Sequence, residues 1–285
     1  MWKNVLPALI AAPLILQAAD YKIEQREPIH HVFTGDRALD VDQVNGSISV
    51  IGDTGATMRV EGERIVRAAD QQEAERAKRE VTLDINEKAG IAQLYVNGPF
   101  RDNGHASEDH GFHEHSDREY SVTYNLVIHV PRATELTLHT VNGAVKDADT
   151  TGKFDVHSVN GAITMTNIAG SGTVNTVNGS TVVSFRENPK TDSSFKSFNG
   201  KVDVSFQPGL AADLRVKTFH GEIYTDFDVT ALASTAATAE RKNGKFVYRS
   251  NDYQNVRVGA GGPQLSFETF NGGIRIHKGD SNATK

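Results

Sequence analysis

The sequence predicts an all-β protein: a parallel β-solenoid, or β-helix, built from Asn-Gly repeats, with one short surface helix. Three observations predict this class. A short pattern of Ser or Thr, an apolar residue, Asn-Gly, a variable residue and Ile or Val recurs along the chain. Its copies keep a nearly fixed spacing, which is typical of architectures in which each unit buries its apolar face against its neighbours. Apolar and polar residues alternate on both sides of Asn-Gly, as half-buried strands require.

The copies of the pattern are most regular between residues 140 and 223. Their asparagine positions are Asn142, Asn160, Asn178, Asn199 and His220, the last replacing asparagine. The spacings are 160−142 = 18, 178−160 = 18, 199−178 = 21 and 220−199 = 21 residues. Outlying copies lie at residues 44–48 and 269–274. Because Asn-Gly adopts positive φ at little cost, we expect each corner to be a sharp turn with its glycine in the left-handed region.

Two arrangements of these strands fit the pattern. In an antiparallel β-meander or sandwich, each Asn-Gly would be a hairpin turn. In a parallel solenoid, each copy is one coil and the corners stack in a column. The solenoid is favoured because Ser or Thr recurs two residues before the asparagine and the residue directly before it stays apolar, which places like residues upon like. The predicted apolar column contains Val141, Val159 and Val177, extended by Phe198, Phe219 and Phe270.

Residues 1–19 are predicted to be a signal peptide. Lys3 gives the start a positive charge, residues 5–16 form a short apolar run, and Ala18 and Ala19 supply small residues for cleavage. The run is too short to span a bilayer comfortably, so no transmembrane segment is expected after cleavage. We therefore expect an exported protein, located in the periplasm, on the cell surface or outside the cell. The chain has no cysteine, which excludes disulfides and cysteine-ligated metal.

Residues 20–131 are predicted to form an N-terminal β region. Residues 20–35 are polar and are expected to be an irregular lead-in, and strands begin at Ala38. Residues 68–79 contain helix formers and no Gly, Pro or β-branched residue, which predicts a short helix covering one end of the stack. A long polar loop, rich in histidine, is expected at residues 97–119.

Residues 132–277 are predicted to be the β-repeat array. An excursion is expected at residues 228–245, a closing coil at residues 270–277, and a flexible tail at residues 278–285. In the third copy Thr181 displaces the aliphatic residue by one position, so a β-bulge is expected there.

The composition and the spacing of polar residues argue against several functions. The 30 basic and 36 acidic residues give a net charge of −6, without the basic cluster that nucleic-acid binding needs. Four carboxylates lie on or near the predicted coils, but no two occupy equivalent places on adjacent coils: Asp155, Asp203, Glu222 and Asp226. The chain also lacks a phosphate-binding loop and a nucleophile elbow. The sequence therefore assigns no catalytic, cofactor-binding or metal residues, and predicts a protein that is not an enzyme and needs no cofactor.

The histidine-rich loop is the densest cluster of chemically active side chains. His105, His110, His113 and His115 are interleaved with Glu108, Asp109, Glu114 and Asp117. Imidazole nitrogens in such a loop bind divalent transition metals, but the spacing is loose and matches no defined metal motif. We therefore treat the loop as a solvated surface segment, with metal binding as an alternative.

Four features together resemble the bacterial putative-adhesin family of exported Asn-Gly β-repeat proteins. They are a signal peptide, a first Val-Asn-Gly-Ser-Ile strand pair at residues 44–48, a short charged helix, and the array of [Ser/Thr]-[Val/Phe]-Asn-Gly-x-[Ile/Val] units. The resemblance covers most of residues 38–277. It implies a non-enzymatic protein that binds envelope glycan or a surface protein through an extended β surface. Two alternatives stay open: a polysaccharide-active β-helix enzyme, and an envelope protein that binds metal through the histidine-rich loop.

Overall fold

The structure is a computed structural model that describes residues 21–35, 38–101, 119–232, 238–242, 245–249 and 253–279. The predicted all-β class is confirmed, because these residues form two large sheets, one two-stranded sheet and a single short helix. That helix is too short to cross a membrane. The predicted signal peptide, residues 102–118 of the histidine-rich loop and the tail from residue 280 lie outside the described residues. The predicted division of the chain into regions stays a prediction.

The residues before the array form seven strands and the helix. They are β1 (Ile23–Thr34), β2 (Ala38–Asn45), β3 (Ile48–Asp53), β4 (Thr57–Ala68), α1 (Gln71–Glu80), β5 (Thr82–Lys88), β6 (Ile91–Asn97) and β7 (Tyr120–Pro131).

The array and the residues after it form sixteen strands among the described ranges. The first ten are β8 (Leu136–Asn142), β9 (Val145–Ala148), β10 (Phe154–Asn160), β11 (Ile163–Ile168), β12 (Gly172–Asn178), β13 (Thr181–Phe185), β14 (Ser193–Asn199), β15 (Val202–Phe206), β16 (Ala212–His220) and β17 (Ile223–Thr225). The last six are β18 (Val229–Ala231), β19 (Thr238–Lys242), β20 (Lys245–Arg249), β21 (Gln254–Val258), β22 (Gln264–Asn271) and β23 (Ile274–Lys278).

Each Asn-Gly corner carries the chain from one large sheet to the other. Strands before a corner join the eleven-stranded sheet, in the order β18-β21-β16-β22-β14-β12-β10-β8-β2-β6-β5. Strands after a corner join the ten-stranded sheet, in the order β1-β4-β7-β3-β9-β11-β13-β15-β23-β17. Strands β8, β10, β12 and β14 are parallel neighbours, with their corner asparagines in register. Both sheets also contain antiparallel pairs near their ends.

The last repeat unit of the chain lies inside the stack and does not close it. β22 pairs in parallel with β14 on one side and β16 on the other, so Asn271 lies between Asn199 and His220. β23 separates β15 from β17 in the same way. The expectation that residues 270–277 form the closing coil is therefore wrong. Between β17 and β22, the described residues form the antiparallel pair β19–β20 and the antiparallel pair β18–β21. The predicted excursion at residues 228–245 covers β18, β19 and the first residue of β20.

The expected irregular lead-in at residues 20–35 is wrong, because β1 is a twelve-residue strand paired antiparallel with β4. Only Phe33 of this strand is buried. The pairing is accompanied by cross-strand ion pairs, including Glu24 with Arg67 at 2.8 Å. Charged side chains opposite each other on neighbouring strands replace the apolar alternation by which strands are recognised.

The predicted helix begins three residues later than expected. Ala68 ends β4, and the Asp70 side chain accepts a hydrogen bond from the Glu73 N–H at 2.9 Å, which caps the helix N-terminus. Ala74 and Ala77 are fully buried in a small apolar cluster with residues of β4, β6 and β7. The helix therefore packs on strands that precede the array.

The corner glycines are required by close backbone contact and not, in the array, by positive φ. Among them only Gly46 has a positive φ, of 123°. A Cβ on Gly161 would lie 1.9 Å from the carbonyl oxygen of Gly143 in the neighbouring unit. On five other corner glycines, a Cβ would lie 1.7–2.3 Å from the corresponding glycine carbonyl oxygen of the neighbouring unit: Gly143, Gly179, Gly200, Gly221 and Gly272. The expected left-handed glycine turn is therefore wrong in the array, where neighbouring units approach too closely for a side chain.

Side-chain hydrogen bonds run through the stack at the corners. Each asparagine after Asn45 donates its amide N–H to the amide oxygen of the preceding asparagine in the stack, at 2.8–2.9 Å. This asparagine column contains, in spatial order, Asn45, Asn142, Asn160, Asn178, Asn199 and Asn271. His220 contacts its end, with Nδ1 3.2 Å from the Asn271 oxygen. Two residues earlier, a buried hydroxyl donates to the corner glycine carbonyl of the neighbouring unit, as from Thr176 to Gly161 at 2.8 Å.

Thr181 does not cause the expected bulge. It is buried and pairs with Ile163 and Val202, so it takes the place of the aliphatic residue. Its hydroxyl donates to the carbonyl oxygen of Lys196 at 3.1 Å, which allows the polar group to be buried. The register shift in this part of the sheet lies instead between Met165 and Ile168.

Candidate binding surface

The outer face of the eleven-stranded sheet carries an apolar ridge. In each unit the side chains two, four and six residues before the asparagine point inward, and those one, three and five residues before it point outward. The residue directly before the asparagine is therefore exposed although it is apolar. The apolar ridge consists of Val141, Val159, Val177, Phe198, Phe270 and Phe219, in spatial order.

The ridge is continuous along the stack. Its members lie on six adjacent strands, so at about 4.8 Å per strand the ridge is about 24 Å long. Phe198 stacks on Phe270 at 4.9 Å between ring centroids, and Phe270 stacks on Phe219 at 4.8 Å. The six side chains are 37–65% exposed. The predicted apolar column thus has its predicted members, in the order set by the insertion of β22, and it faces outward.

A polar row lies beside the ridge, three residues before each asparagine. Its members are Asp42, His139, His157, Asn175, Lys196, Glu268 and Lys217, in spatial order. Between this row and the three phenylalanines runs a groove of about 370 Å³. Lys196 and Glu268 form an ion pair across neighbouring strands at 3.3 Å. The apolar ridge therefore has a row of polar and charged groups along one side.

Three side chains converge near the ridge on β8 and β10: His139, Asp155 and His157. His139 and His157 occupy the same position on neighbouring strands, with ring centroids 5.0 Å apart. Asp155 lies two residues before His157, and its Oδ1 is 2.7 Å from His157 Nε2. One ligand atom of each residue lies within 4.8 Å of those of the other two. His139 and His157 are half-buried and Asp155 is exposed, and together the three groups could hold a metal ion.

The four carboxylates singled out in the sequence do not gather at one site, although Asp203 and Asp226 flank the same histidine. Asp155 contacts His157, and Glu222 accepts a hydrogen bond from the Tyr224 hydroxyl. Asp203 and Asp226 contact opposite nitrogens of His277, at 3.3 and 3.2 Å, and Asp203 also pairs with Lys201 at 3.0 Å.

Asp147 is a buried carboxylate between the two sheets. It is 1% exposed and lies between Val50 and Met165 on neighbouring strands of the ten-stranded sheet. Burial raises the pKa of Asp147 to about 7, against the opposing effect of hydrogen bonds from the Thr150 hydroxyl and the Ala148 N–H. The Thr150 hydroxyl donates to Oδ2 at 2.7 Å, and Oδ1 has no partner among the described residues.

The His139–Asp155–His157 cluster was not predicted from the sequence, although the sequence contains a signal for it. Both histidines stand three residues before a corner asparagine in successive copies of the repeat. Aligning the copies therefore places them side by side, by the same reasoning that placed Val141 next to Val159. The loop histidines from His105 to His115, which were considered, lie outside the described residues.

The sequence matches no protein-family model and no curated protein sequence. Among solved structures, it aligns with a putative cell adhesion protein from Clostridium sporogenes, with 9% identity and a TM-score of 0.45, over 90% of this chain and 100% of that one. It also aligns with a putative adhesin from Bacteroides fragilis, with 11% identity and a TM-score of 0.36, over 88% and 97%. A putative lipid binding protein from Parabacteroides distasonis aligns with 12% identity and a TM-score of 0.31, over 89% and 97%.

Proposed function

We propose that the mature protein is an exported, non-enzymatic β-solenoid of the putative-adhesin type that binds a protein of the cell envelope through the apolar ridge. The observation that carries this proposal is the ridge itself, a row of six exposed apolar side chains on neighbouring strands. Contiguous exposed apolar surface of this kind marks interaction sites on soluble proteins. The parallel register of strands β8 to β14 supports the solenoid.

The geometry of the aromatic rings favours a protein partner over a glycan. Sugar rings pack on the exposed face of an aromatic ring. Phe198, Phe270 and Phe219 stack on one another with interplanar angles of 4–6°, so the ring faces between them are covered. The stacked rings and the valine methyl groups form an apolar ridge that suits the apolar side chains of a protein. Lys196, Glu268 and Lys217 then form a polar rim, as in protein interfaces.

The test compares ridge variants with a matched control. Val159→Thr and Phe270→Thr remove apolar surface from the ridge, and threonine is a β-branched residue that suits a strand. Val127→Thr makes the same change at a comparably exposed position on β7 of the other sheet. The probes are detergent-solubilised envelope proteins and, separately, purified peptidoglycan and envelope polysaccharide. Melting curves of all three variants check that the fold is unchanged.

We expect saturable binding to a protein fraction that both ridge variants weaken and Val127→Thr does not. Equal binding by ridge variants and control would refute the ridge as the binding surface. Binding to a polysaccharide that depends on Phe270 would replace the protein partner with a glycan. Turnover of the polysaccharide would refute the non-enzymatic assignment.

A further inference from the structure

We propose that His139, Asp155 and His157 form a binding site for a divalent late transition-metal ion, of which Zn²⁺ is the representative. The site is distinct from the histidine-rich loop and does not depend on the partner proposed for the ridge. Two imidazoles and one carboxylate are a ligand set that zinc takes in proteins, at about 2.0–2.2 Å from each ligand atom. Their ligand atoms already lie within 4.8 Å of one another.

The backbone fixes this convergence. β8 and β10 are parallel neighbours in which His157 pairs with His139, so both imidazoles leave the sheet side by side on its outer face. Asp155 shares that face because it is two residues before His157 on the same strand. Three ligands on two adjacent strands form a rigid donor set, and small side-chain rotations bring their atoms to coordination distance.

The burial and the contacts of the imidazole nitrogens support a role as metal ligands. Nε2 of His139 is buried from solvent and has no hydrogen-bond partner among the described residues. A buried polar atom without a partner is uncommon in a native protein and calls for an explanation such as a bound ion. Nε2 of His157 contacts the Asp155 carboxylate at 2.7 Å, a contact that metal ligation by both groups would replace.

Among the described residues, those that line the surface pocket beside His139 and His157 include no lysine or arginine that would compete with the metal. Asp42 is the next member of the polar row beside His139, and it holds the nearby Arg101 guanidinium at 2.8 and 3.0 Å. On the other side of His157, the row continues with the neutral Asn175. With three protein ligands, the ion keeps an open coordination position for water or an external group. Imidazole ligands select zinc, copper or nickel over magnesium and calcium.

The experiment separates this site from the loop. The full mature chain is prepared with His105, His110, His113 and His115 replaced by Ala, and Zn²⁺ binding is measured by equilibrium dialysis and calorimetry. Co²⁺ serves as a spectroscopic probe because its visible absorption reports the ligand set directly. His139→Ala, His157→Ala and Asp155→Asn are made in the same background. His277→Ala is the matched control, since His277 also contacts carboxylates but lies on the other sheet.

We expect one Zn²⁺ per chain in the loop-substituted background. Each histidine substitution should weaken binding more than 100-fold, beyond the 10–100-fold typical of outer-shell changes, and Asp155→Asn should weaken it at least about tenfold. A saturating ion should also raise the melting temperature by about 5 °C or more. His277→Ala should change none of these values.

Three results would overturn the proposal. The first is the absence of zinc binding once the loop histidines are replaced. The second is binding that survives both His139→Ala and His157→Ala. The third is loss of binding that is equal in the His277→Ala control. Metal-free melting curves of the variants show whether a loss of binding reflects unfolding, and His157→Asn, which retains a polar side chain, repeats the test where His157→Ala does not fold.

Discussion

Replacing Asp147 with Asn should remove a pH dependence from the free energy of unfolding. In the folded protein burial raises the pKa of Asp147 to about 7, from an ordinary value of 3.8. Between these two pH values the folded chain binds a proton that the unfolded chain has released, so stability falls as pH rises. The contribution of protonated Asp147 is fully present below about pH 4 and is lost as pH passes through about 7. At 1.36 kcal/mol per pKa unit, the total loss is about 4 kcal/mol.

The Asn side chain does not titrate, so the difference in stability between Asp147→Asn and the parent chain should change with pH. Near pH 4 the variant should be no more stable than the parent, because one amide N–H takes the place of the unpartnered Oδ1 and is itself buried without a partner. Near pH 8 it should be more stable by about 2–4 kcal/mol. Taking the difference between the chains cancels every other titrating group.

The measurement is equilibrium urea unfolding of both chains at intervals between pH 4 and pH 8.5, supported by NMR titration of the Asp147 carboxyl carbon. Thr150→Val provides a second perturbation. It removes the hydroxyl hydrogen bond that lowers the pKa of Asp147, so the pH window should extend upward. A stability difference that stays constant across the range would show that Asp147 is not a buried acid and would refute the reasoning.

Two further pairs of variants test the packing of the repeat units. Gly161→Ala should lower the free energy of unfolding by about 2–3 kcal/mol, because the added Cβ would lie 1.9 Å from a backbone oxygen. Gly209→Ala should change it by about 0.5 kcal/mol or less, because no atom lies within 4 Å of the added Cβ. Equal effects of the two variants in urea unfolding would contradict the close contact at Gly161. Thr176→Val should cost about 1 kcal/mol because its hydroxyl bonds the Gly161 carbonyl, whereas Thr140→Val should be neutral or stabilising because its buried hydroxyl has no partner. A cost at position 140 equal to that at 176 would contradict this assignment.

The corner chemistry was predictable from the sequence in its positions but not in its physical cause. The recurrence of Ser or Thr two residues before asparagine indicated that these residues lie in register, and they do. Their role, however, is to donate to the neighbouring glycine carbonyl. At Thr140 that acceptor, the carbonyl of Gly46, instead receives the amide of Gln43 at 2.6 Å. Which donor reaches a shared acceptor depends on side-chain length across neighbouring strands, and a single repeat does not contain that information.

The glycine of Asn-Gly illustrates a similar limit. Its sequence context is the same in a hairpin turn and in a stacked corner, and both exclude a side chain. In a hairpin the reason is local, because φ is positive. At Gly161 the reason is the carbonyl oxygen of Gly143, which lies eighteen positions earlier (161−143 = 18) and is brought close only by the pairing of whole units. A local motif therefore predicted the residue correctly and its conformation wrongly.

The position of the last repeat unit in the stack depends on pairing between residues that are even farther apart in the sequence. Phe198, Phe219 and Phe270 precede equivalent corner positions, so the sequence alone would let the unit of Phe219 pack directly on that of Phe198, its predecessor in the chain. The structure instead inserts the unit of Phe270 between them, and Phe270 stacks on both neighbours. The gap of 271−220 = 51 residues provides the necessary chain, with β21 returning antiparallel along β16 before β22 begins. One edge of β16 is already paired with β21 along its first half. On the other edge of β16, β22 has a parallel partner on both of its own sides, β16 and β14.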